Sequence, residues 1–251
     1  MIRVKNIKKS FNEKPVLKGI SCEFEKGKTS LIIGQTGSGK TVFMKCLLGL
    51  HKHDSGKIIF NDRDFEKMNE NQKMELKSRI GTVFQGSALF DSMTIEENLS
   101  VPLIMFSKKN KSEIRERVNF CLDRVNLVNV NNLFPSDLSG GMQKRVAIAR
   151  AIVLNPKYLF CDEPNSGLDP YTATVIDELL KEITYEYNIT TVINTHDMNS
   201  VMQIGDHIIF IKQGKKMWEG NKEEIMNTNN KDLNDFVFSS EIFKRLKKSL
   251  S

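Results

Sequence analysis

The sequence lacks any apolar run long enough to cross a bilayer, which takes about 20 helical residues. Its most apolar stretches, 99–106, 28–33 and 207–211, are all short. The opening MIRVKNIKKSF has no apolar core of the kind a secretory leader needs, so the chain is expected to be made and kept in the cytoplasm. Cysteine is sparse. The four residues Cys22, Cys46, Cys121 and Cys161 are far apart with no C-x-x-C pair, which indicates neither a zinc site nor a disulfide framework. Histidine is equally scarce, and His51 and His53 form an H-x-H with no second ligand pair nearby. Exposed loop residues are expected there, not a metal centre. There are no internal repeats and no low-complexity linkers.

What is present suits one large domain, or one domain with a small inserted lobe: 251 residues, 39% hydrophobic and 27% charged. The net charge of +6 admits nucleic acid or an anionic membrane face as partners, but a Lys-rich solvated surface accounts for most of it. Basic charge concentrates in the tail at 243–248.

Strands are expected at 2–8, 16–24 and 57–60, with turn residues such as Asn61-Asp62 between them, giving an antiparallel portion. Residues 29–33 form a short apolar strand, followed by a glycine-rich turn and a helix over 40–50. From 94 to 130 the pattern turns helical, broken at Pro102 and at 107–112, and reads as an inserted lobe. Residues 157–161 and 190–195 are apolar, β-branched runs of strand length. The helix between them has Asp169 as its cap, Pro170 in its first turn, and Val175, Leu179, Ile183 and Tyr187 repeating every four residues. Strand, helix, strand in that order implies a parallel α/β sheet with crossovers. Residues 207–212 and 215–219 read as a closing hairpin through Gln213-Gly214. Helix and loop follow from 221.

Three elements carry chemistry. Gly34, Gln35, Thr36, Gly37, Ser38, Gly39, Lys40 and Thr41 match G-x-x-x-x-G-K-[ST] between an expected strand and an expected helix. The glycines let the backbone curl so that N–H groups face phosphate oxygens, and the helix start adds partial positive charge. Lys40 is expected to reach the β and γ phosphates, and the Thr41 hydroxyl to ligate Mg²⁺. The second element is Leu138, Ser139, Gly140, Gly141 and Met142, which opens a helix and is a second candidate anion-binding helix start. The third is YLFCDE at 158–163, a buried-strand pattern ending in two carboxylates. Side-chain alternation along a strand sends Asp162 and Glu163 different ways. Asp162 then suits Mg²⁺ hydration, and Glu163 suits general-base activation of water.

In this order the motifs resemble the ABC ATPase family over about residues 1–220. Phe11 stands where an aromatic is expected and Gln85 in a Q-loop, while Ser166–Asp169 forms a D-loop (SGLD) and His196 a switch histidine. The resemblance implies a P-loop NTPase (RecA-like) parallel-sheet core with an antiparallel β subdomain. It also implies an α-helical subdomain inserted at about 90–137 and a C-terminal helical extension at 221–251. Phe11 would stack on adenine, Gln85 would touch Mg²⁺ or the lytic water, His196 would hold the γ-phosphate, and Asp169 would line a dimer interface. ATP would be sandwiched in a head-to-tail homodimer between the phosphate loop of one copy and Ser139, Gly140 and Gly141 of the other. ATP and Mg²⁺ are the implied cofactors.

The stretch LSGGMQKRVAIARA at 138–151, with DSMTIEENLSVPL at 91–103, looks most like the ATPase of phospholipid-trafficking (Mla, or MCE-associated) transporters of double-membraned bacteria. Met142 and the SGLDP D-loop depart from the common LSGGQ and SALDP. The expected setting is the cytoplasmic face of the inner membrane, with permease subunits and MCE-domain proteins as partners. Apolar residues of the lobe (Leu89, Phe90, Leu103, Met105, Phe106) are divided between lobe core and permease contact, and 236–246 is expected to dock on a partner. Alternatives are ATPases of amino acid import, lipoprotein extraction or cell division. A soluble ABC machine on DNA or ribosomes is disfavoured because no aromatic-rich basic groove is evident; nucleic acid is not an expected partner.

Overall fold

The computed structural model describes residues 1–239, so the basic stretch 243–248 lies outside the described residues. It holds two compact units: Met1–Lys67 with the chain from Val192 onward, and Met68–Thr191.

The first unit begins with β1 (Ile2–Phe11) and β2 (Lys14–Phe24), an antiparallel hairpin. Its turn residues Asn12 and Glu13 have φ of 47° and 64°, the backbone of primed turns whose twist matches that of paired strands. β3 (Thr29–Ile33) is buried along its whole length and leads through a loop into α1 (Lys40–Leu47). β4 (Ser55–Phe60) pairs with β1, and the edge strand β5 (Arg63–Asp64) follows the Asn61-Asp62 turn. The antiparallel sheet runs β2-β1-β4-β5. Its inward face is Ile2, Val4, Ile7, Leu17, Ile20, Phe24, Ile58 and Phe60, the one-sided burial usual for antiparallel sheets. His53, expected to be exposed, is buried, with Nδ1 3.5 Å from the Glu66 carboxylate. A loop that closes against its own sheet can bury an imidazole that the sequence pattern leaves outside.

The second unit contains α2 (Glu70–Lys77), β6 (Ile80–Val83), α3 (Ile95–Phe106), α4 (Lys111–Arg124), α5 (Gly140–Ile152), β7 (Tyr158–Asp162) and α6 (Pro170–Glu186). Reciprocal capping boxes start the first, third and fourth of its elements: Asn69 with Gln72, Thr94 with Glu97, and Asn110 with Glu113. β6 and β7 pair in parallel from Ile80↔Tyr158 to Val83↔Cys161. α5 passes so close to β6 that a Cβ at Gly81 would stand 2.3 Å from the Ala151 carbonyl oxygen.

Two expectations shift here. Pro102 does not break the helix; α3 continues one more turn and ends at Ser107, whose N–H and hydroxyl both donate to the Leu103 carbonyl. Pro102 removes one backbone donor, but Ile95, Leu99 and Leu103 form a buried stripe that holds the helix on course. On α6 the buried stripe is Ile176, Leu179, Leu180 and Ile183, while Val175 and Tyr187 are only half-buried. A repeat of four drifts off the 3.6-residue turn.

β8 (Thr190–Thr195) carries the chain from Met68–Thr191 back to the first unit. There α7 (Met198–Ile204), β9 (His207–Lys212), β10 (Lys215–Gly220), α8 (Lys222–Met226) and α9 (Lys231–Val237) complete it. β9 pairs in parallel with β3 and antiparallel with β10 through Gln213 and Gly214, φ 48° and 78°. Phe236, expected to dock on a partner, stacks on Phe210 of β9 at 5.4 Å, and Val237 and Phe238 are buried. These apolar side chains are used by their own unit. Among the described residues no helix is long and apolar enough to cross a membrane.

Candidate functional site

The candidate residues divide between the units. Phe11, the loop 34–41 and His196 belong to the first; Gln85, Ser139, Gly140, Gly141, Asp162, Glu163 and Asp169 belong to the second.

The loop leaves β3 at Gly34, φ 150°, where a Cβ would lie 2.2 Å from the Ile211 carbonyl oxygen. No other residue fits that approach. Gly37 and Gly39 also have positive φ, and Gly39 is the N-cap of α1 without any side-chain cap. The first amides of α1 are therefore not satisfied by a capping side chain, and they carry the positive end of the helix dipole. Lys40 is 7% exposed, and its ammonium donates to the carbonyls of Gly34 at 2.7 Å and Gln35 at 3.3 Å. The Ser38 hydroxyl is buried without a hydrogen-bond partner among the described residues, a cost that an acceptor bound in the loop would relieve. The β9–β10 turn pins the loop from behind, Gly214 N–H donating to the Ser38 carbonyl at 2.9 Å. The arrangement gathers donors whose chemistry suits an oxyanion.

Phe11 ends β1, 40% exposed. The Lys9 ammonium lies 5.0 Å from its ring centroid and His51 meets it edge-on, leaving an aromatic surface available for stacking. His196 follows β8 and is exposed; Asp197 beside it caps α7, accepting from Asn199 N–H at 2.8 Å.

In the second unit, Ser139 caps α5, its hydroxyl accepting from Met142 N–H at 3.3 Å, and Ser139 and Gly140 are exposed. A Cβ on Gly141 would come within 2.8 Å of the Thr172 methyl, so any larger residue there would force the Thr172 side chain at the start of α6 to shift. β7 ends at Asp162. Glu163 has φ 51°, a left-handed conformation that is costly for a residue with a side chain. The two carboxylates are thus separated by a turn of the backbone and not by the strand alternation the sequence suggests. Asp169 caps α6, accepting from Thr172 N–H at 3.0 Å and its hydroxyl at 2.5 Å. Those bonds hold its carboxyl below the usual carboxylate range.

Gln85 is exposed, with Nε2 3.4 Å from the Ser166 hydroxyl of the D-loop segment. Sequence reasoning missed the residues that support these groups. Asn165 Nδ2 donates to the buried Asp177 carboxylate, and Lys144 and Arg150 of α5 hold the carbonyls of Gln85, Ser87 and Ala88. The available signal was three polar residues on otherwise apolar helix faces. All four cysteines are free and buried, and desolvation pushes the Cys46 and Cys121 thiols up to about 11, away from reactive thiolate chemistry.

Residues 17–166 match the ABC transporter family. The chain is 37% identical over 237 residues to the methionine import ATP-binding protein MetN of Clostridioides difficile, covering 94% of this chain and 74% of that one. It is 37% identical over 238 residues to the arginine transport ATP-binding protein ArtM of Bacillus subtilis, covering 94% and 98% respectively. Among solved structures it is similar to the dimeric, post-hydrolysis state of the ATP-binding cassette MJ0796 bound to ADP and Pi. That likeness has a TM-score of 0.80 and 32% identity, over 88% of this chain and 98% of that one. The mixed α/β fold is that of the P-loop NTPase cassettes. The names of the two relatives lend the phospholipid expectation no support, nor an MCE-domain partner; they favour the amino acid alternative.

Proposed function

Because the chain belongs to the ABC transporter family and is an ATPase, we propose that its ATP turnover powers import of an amino acid through a membrane permease. The phosphate loop carries the ATPase part of this reading: a buried ammonium, an unpartnered buried hydroxyl and a helix start without a side-chain cap converge on one loop. The names of the similar import proteins support the cargo class.

The proposed roles follow from placement. Residues 34–39 wrap the phosphates with main-chain N–H groups. Lys40 exchanges its loop carbonyls for β- and γ-phosphate oxygens, and the Ser38 hydroxyl finds a phosphate acceptor. Phe11 stacks on the base. Thr41, Gln85 and Asp162 present a hydroxyl, an amide oxygen and a carboxylate, hard oxygen donors that suit Mg²⁺. When bound, that ion supplies charge neutralisation on the transferred phosphoryl group. Glu163, held in its left-handed turn, takes the proton of the attacking water, and His196 contacts the γ-phosphate. The chain acts as a head-to-tail homodimer in which Ser139, Gly140 and Gly141 of one copy close on the nucleotide of the other. Asp169 lies along that interface; the dimeric state of the similar MJ0796 cassette supports the homodimer itself. Residues 1–220 form the ATPase domain, with 90–137 as the helical insert that meets the permease at the cytoplasmic membrane face. Phe90 and Met105 stand exposed there while Leu103 is core. Residues 221–251 are the C-terminal extension.

Catalysis here is chiefly positioning and charge stabilisation. Glu163→Gln is expected to keep ATP binding and lose turnover by about 100-fold or more, read by phosphate release and by nucleotide titration. Full hydrolysis in that variant sinks the assignment of the base. For the cargo, tagged protein purified from its own membranes should bring down a polytopic permease, and the complex should show ATPase activity stimulated by one amino acid. Enriched phospholipid with an MCE-domain protein would overturn the cargo and leave the ATPase intact.

A further inference from the structure

α5 carries more than the Ser139-Gly140-Gly141 start. The Lys144 ammonium donates to the Gln85 carbonyl, and the Arg150 guanidinium donates to the carbonyls of Ser87 at 2.9 Å and Ala88 at 2.8 Å. Six residues apart, the two side chains span about 9 Å of helix axis, enough to grip both ends of the 85–88 segment. That segment is a tight turn closed by Ser87 N–H on the Phe84 carbonyl at 2.9 Å, with Ser87 and Ala88 at φ 61° and 49°. Left-handed backbone at two successive non-glycine residues is costly and persists only where surroundings enforce it.

Those surroundings are the two cations. Lys144 is 6% exposed, and desolvation is the leading influence on both Lys144 and Arg150, with no carboxylate acting on either among the described residues. A cation withdrawn from water without a counter-charge is expensive; three carbonyls of one loop offset it, helped at Arg150 by the Phe90 ring 5.9 Å from its guanidinium. The same loop aims the Gln85 side chain, whose Nε2 reaches the Ser166 hydroxyl. Ser166 in turn sits beside Asn165, anchored on Asp177.

We propose that Arg150 and Lys144 are positioning residues that lock the main chain of residues 85–88 to α5, so that Gln85 and the Ser139–Gly141 start move as one piece. The consequence is mechanical. A tilt of α5 on closing over nucleotide necessarily carries the Gln85 backbone with it, so turnover, not nucleotide capture, depends on the clamp. This rests on the ATPase reading above.

The test is steady-state ATP hydrolysis by the purified full chain across MgATP concentrations. The variants are Arg150→Ala, Arg150→Lys, Lys144→Gln, Gln85→Ala and the Gln85→Ala/Arg150→Ala double. Losing two charge-assisted bonds should lower kcat about 10- to 100-fold in Arg150→Ala while KM changes less than about threefold. Arg150→Lys, able to reach one carbonyl, should recover part of the rate. In the Gln85→Ala background, Arg150→Ala should add less than about a twofold loss, because both act through one group. Unchanged kcat in Arg150→Ala, or fully additive losses in the double, overturns the clamp. Should Arg150→Ala fail to fold by circular dichroism, the same cycle with Lys144→Gln decides the question. Glu163→Gln run alongside separates the two failures: if it retains the rate the site reading falls, whereas additive losses with a dead Glu163→Gln overturn the clamp alone.

Discussion

Two helices in this chain begin with glycine and serine, and both read from sequence as anion-binding starts, yet they are built differently. α1 starts at Gly39 with no capping side chain, beside a buried Lys40 and a buried Ser38 hydroxyl that lacks a partner. α5 starts at Ser139, whose own hydroxyl already accepts from Met142 N–H, with Ser139 and Gly140 exposed. The first start leaves its amides without a capping side chain, and its Lys40 ammonium is held by the loop carbonyls of Gly34 and Gln35. The second has its cap in place, the Ser139 hydroxyl being used by its own helix. Such a difference fits the proposal that the first start is the primary holder of the nucleotide and the second joins only on closure.

The comparison breaks most sharply at Lys40. Lys40→Ala should reduce turnover by about 100- to 1,000-fold and weaken ATP binding with it, as titration calorimetry would report. A variant that binds ATP normally would show that the loop is not the primary holder of the phosphates.

Glycine substitutions give the next largest contrast. Gly34→Ala forces a Cβ to 2.2 Å from a main-chain oxygen at φ 150°, so unfolding in urea should show a loss of about 2–3 kcal/mol. Gly140→Ala meets nothing closer than the Leu168 methyl at 3.9 Å, so stability should stay within about 0.5 kcal/mol while hydrolysis falls. Equal destabilisation of the two would erase the distinction between a cradle built into the fold and a surface held in reserve.

The smallest effect concerns Asp169, the cap of α6. Bonds to Thr172 lower its pKa in the folded state, so it binds a proton less readily there than in the unfolded chain. Its contribution to stability is therefore present above the ordinary carboxylate pKa, about 3.9, and is lost as pH falls through the depressed value. Asp169→Asn keeps a capping side chain and should flatten that acid-side slope in urea titrations between about pH 5 and pH 2; an unchanged slope would assign it to other carboxylates.

Much of the fold was legible because local rules and tertiary packing agree. β3 is a short apolar run ended by glycine, and the Gln213-Gly214 and Asn61-Asp62 turns mark hairpins that do form. Pro102 misled because the donor it removes costs less than the packing of Ile95, Leu99 and Leu103. Phe236 misled for the opposite reason: an apolar side chain near the chain end looks available until Phe210 is seen against it. Around the candidate site, motif order named the segments that carry the candidate residues. Nothing in the order revealed that Lys144 and Arg150 hold a loop some sixty residues earlier.

By itself, then, the sequence determined the local elements and their chemistry: where glycine must bend the backbone, which carboxylates end a strand, which side chains cap a helix. Those depend on neighbours within a few residues, which any reading of the chain can see. Only the tertiary structure decided that Glu163 sits in a left-handed turn and that Gly34 faces the Ile211 carbonyl. It alone brought two α5 cations onto the carbonyls of Gln85, Ser87 and Ala88. Each of these depends on atoms far apart along the chain, brought together by packing whose energy no local pattern encodes.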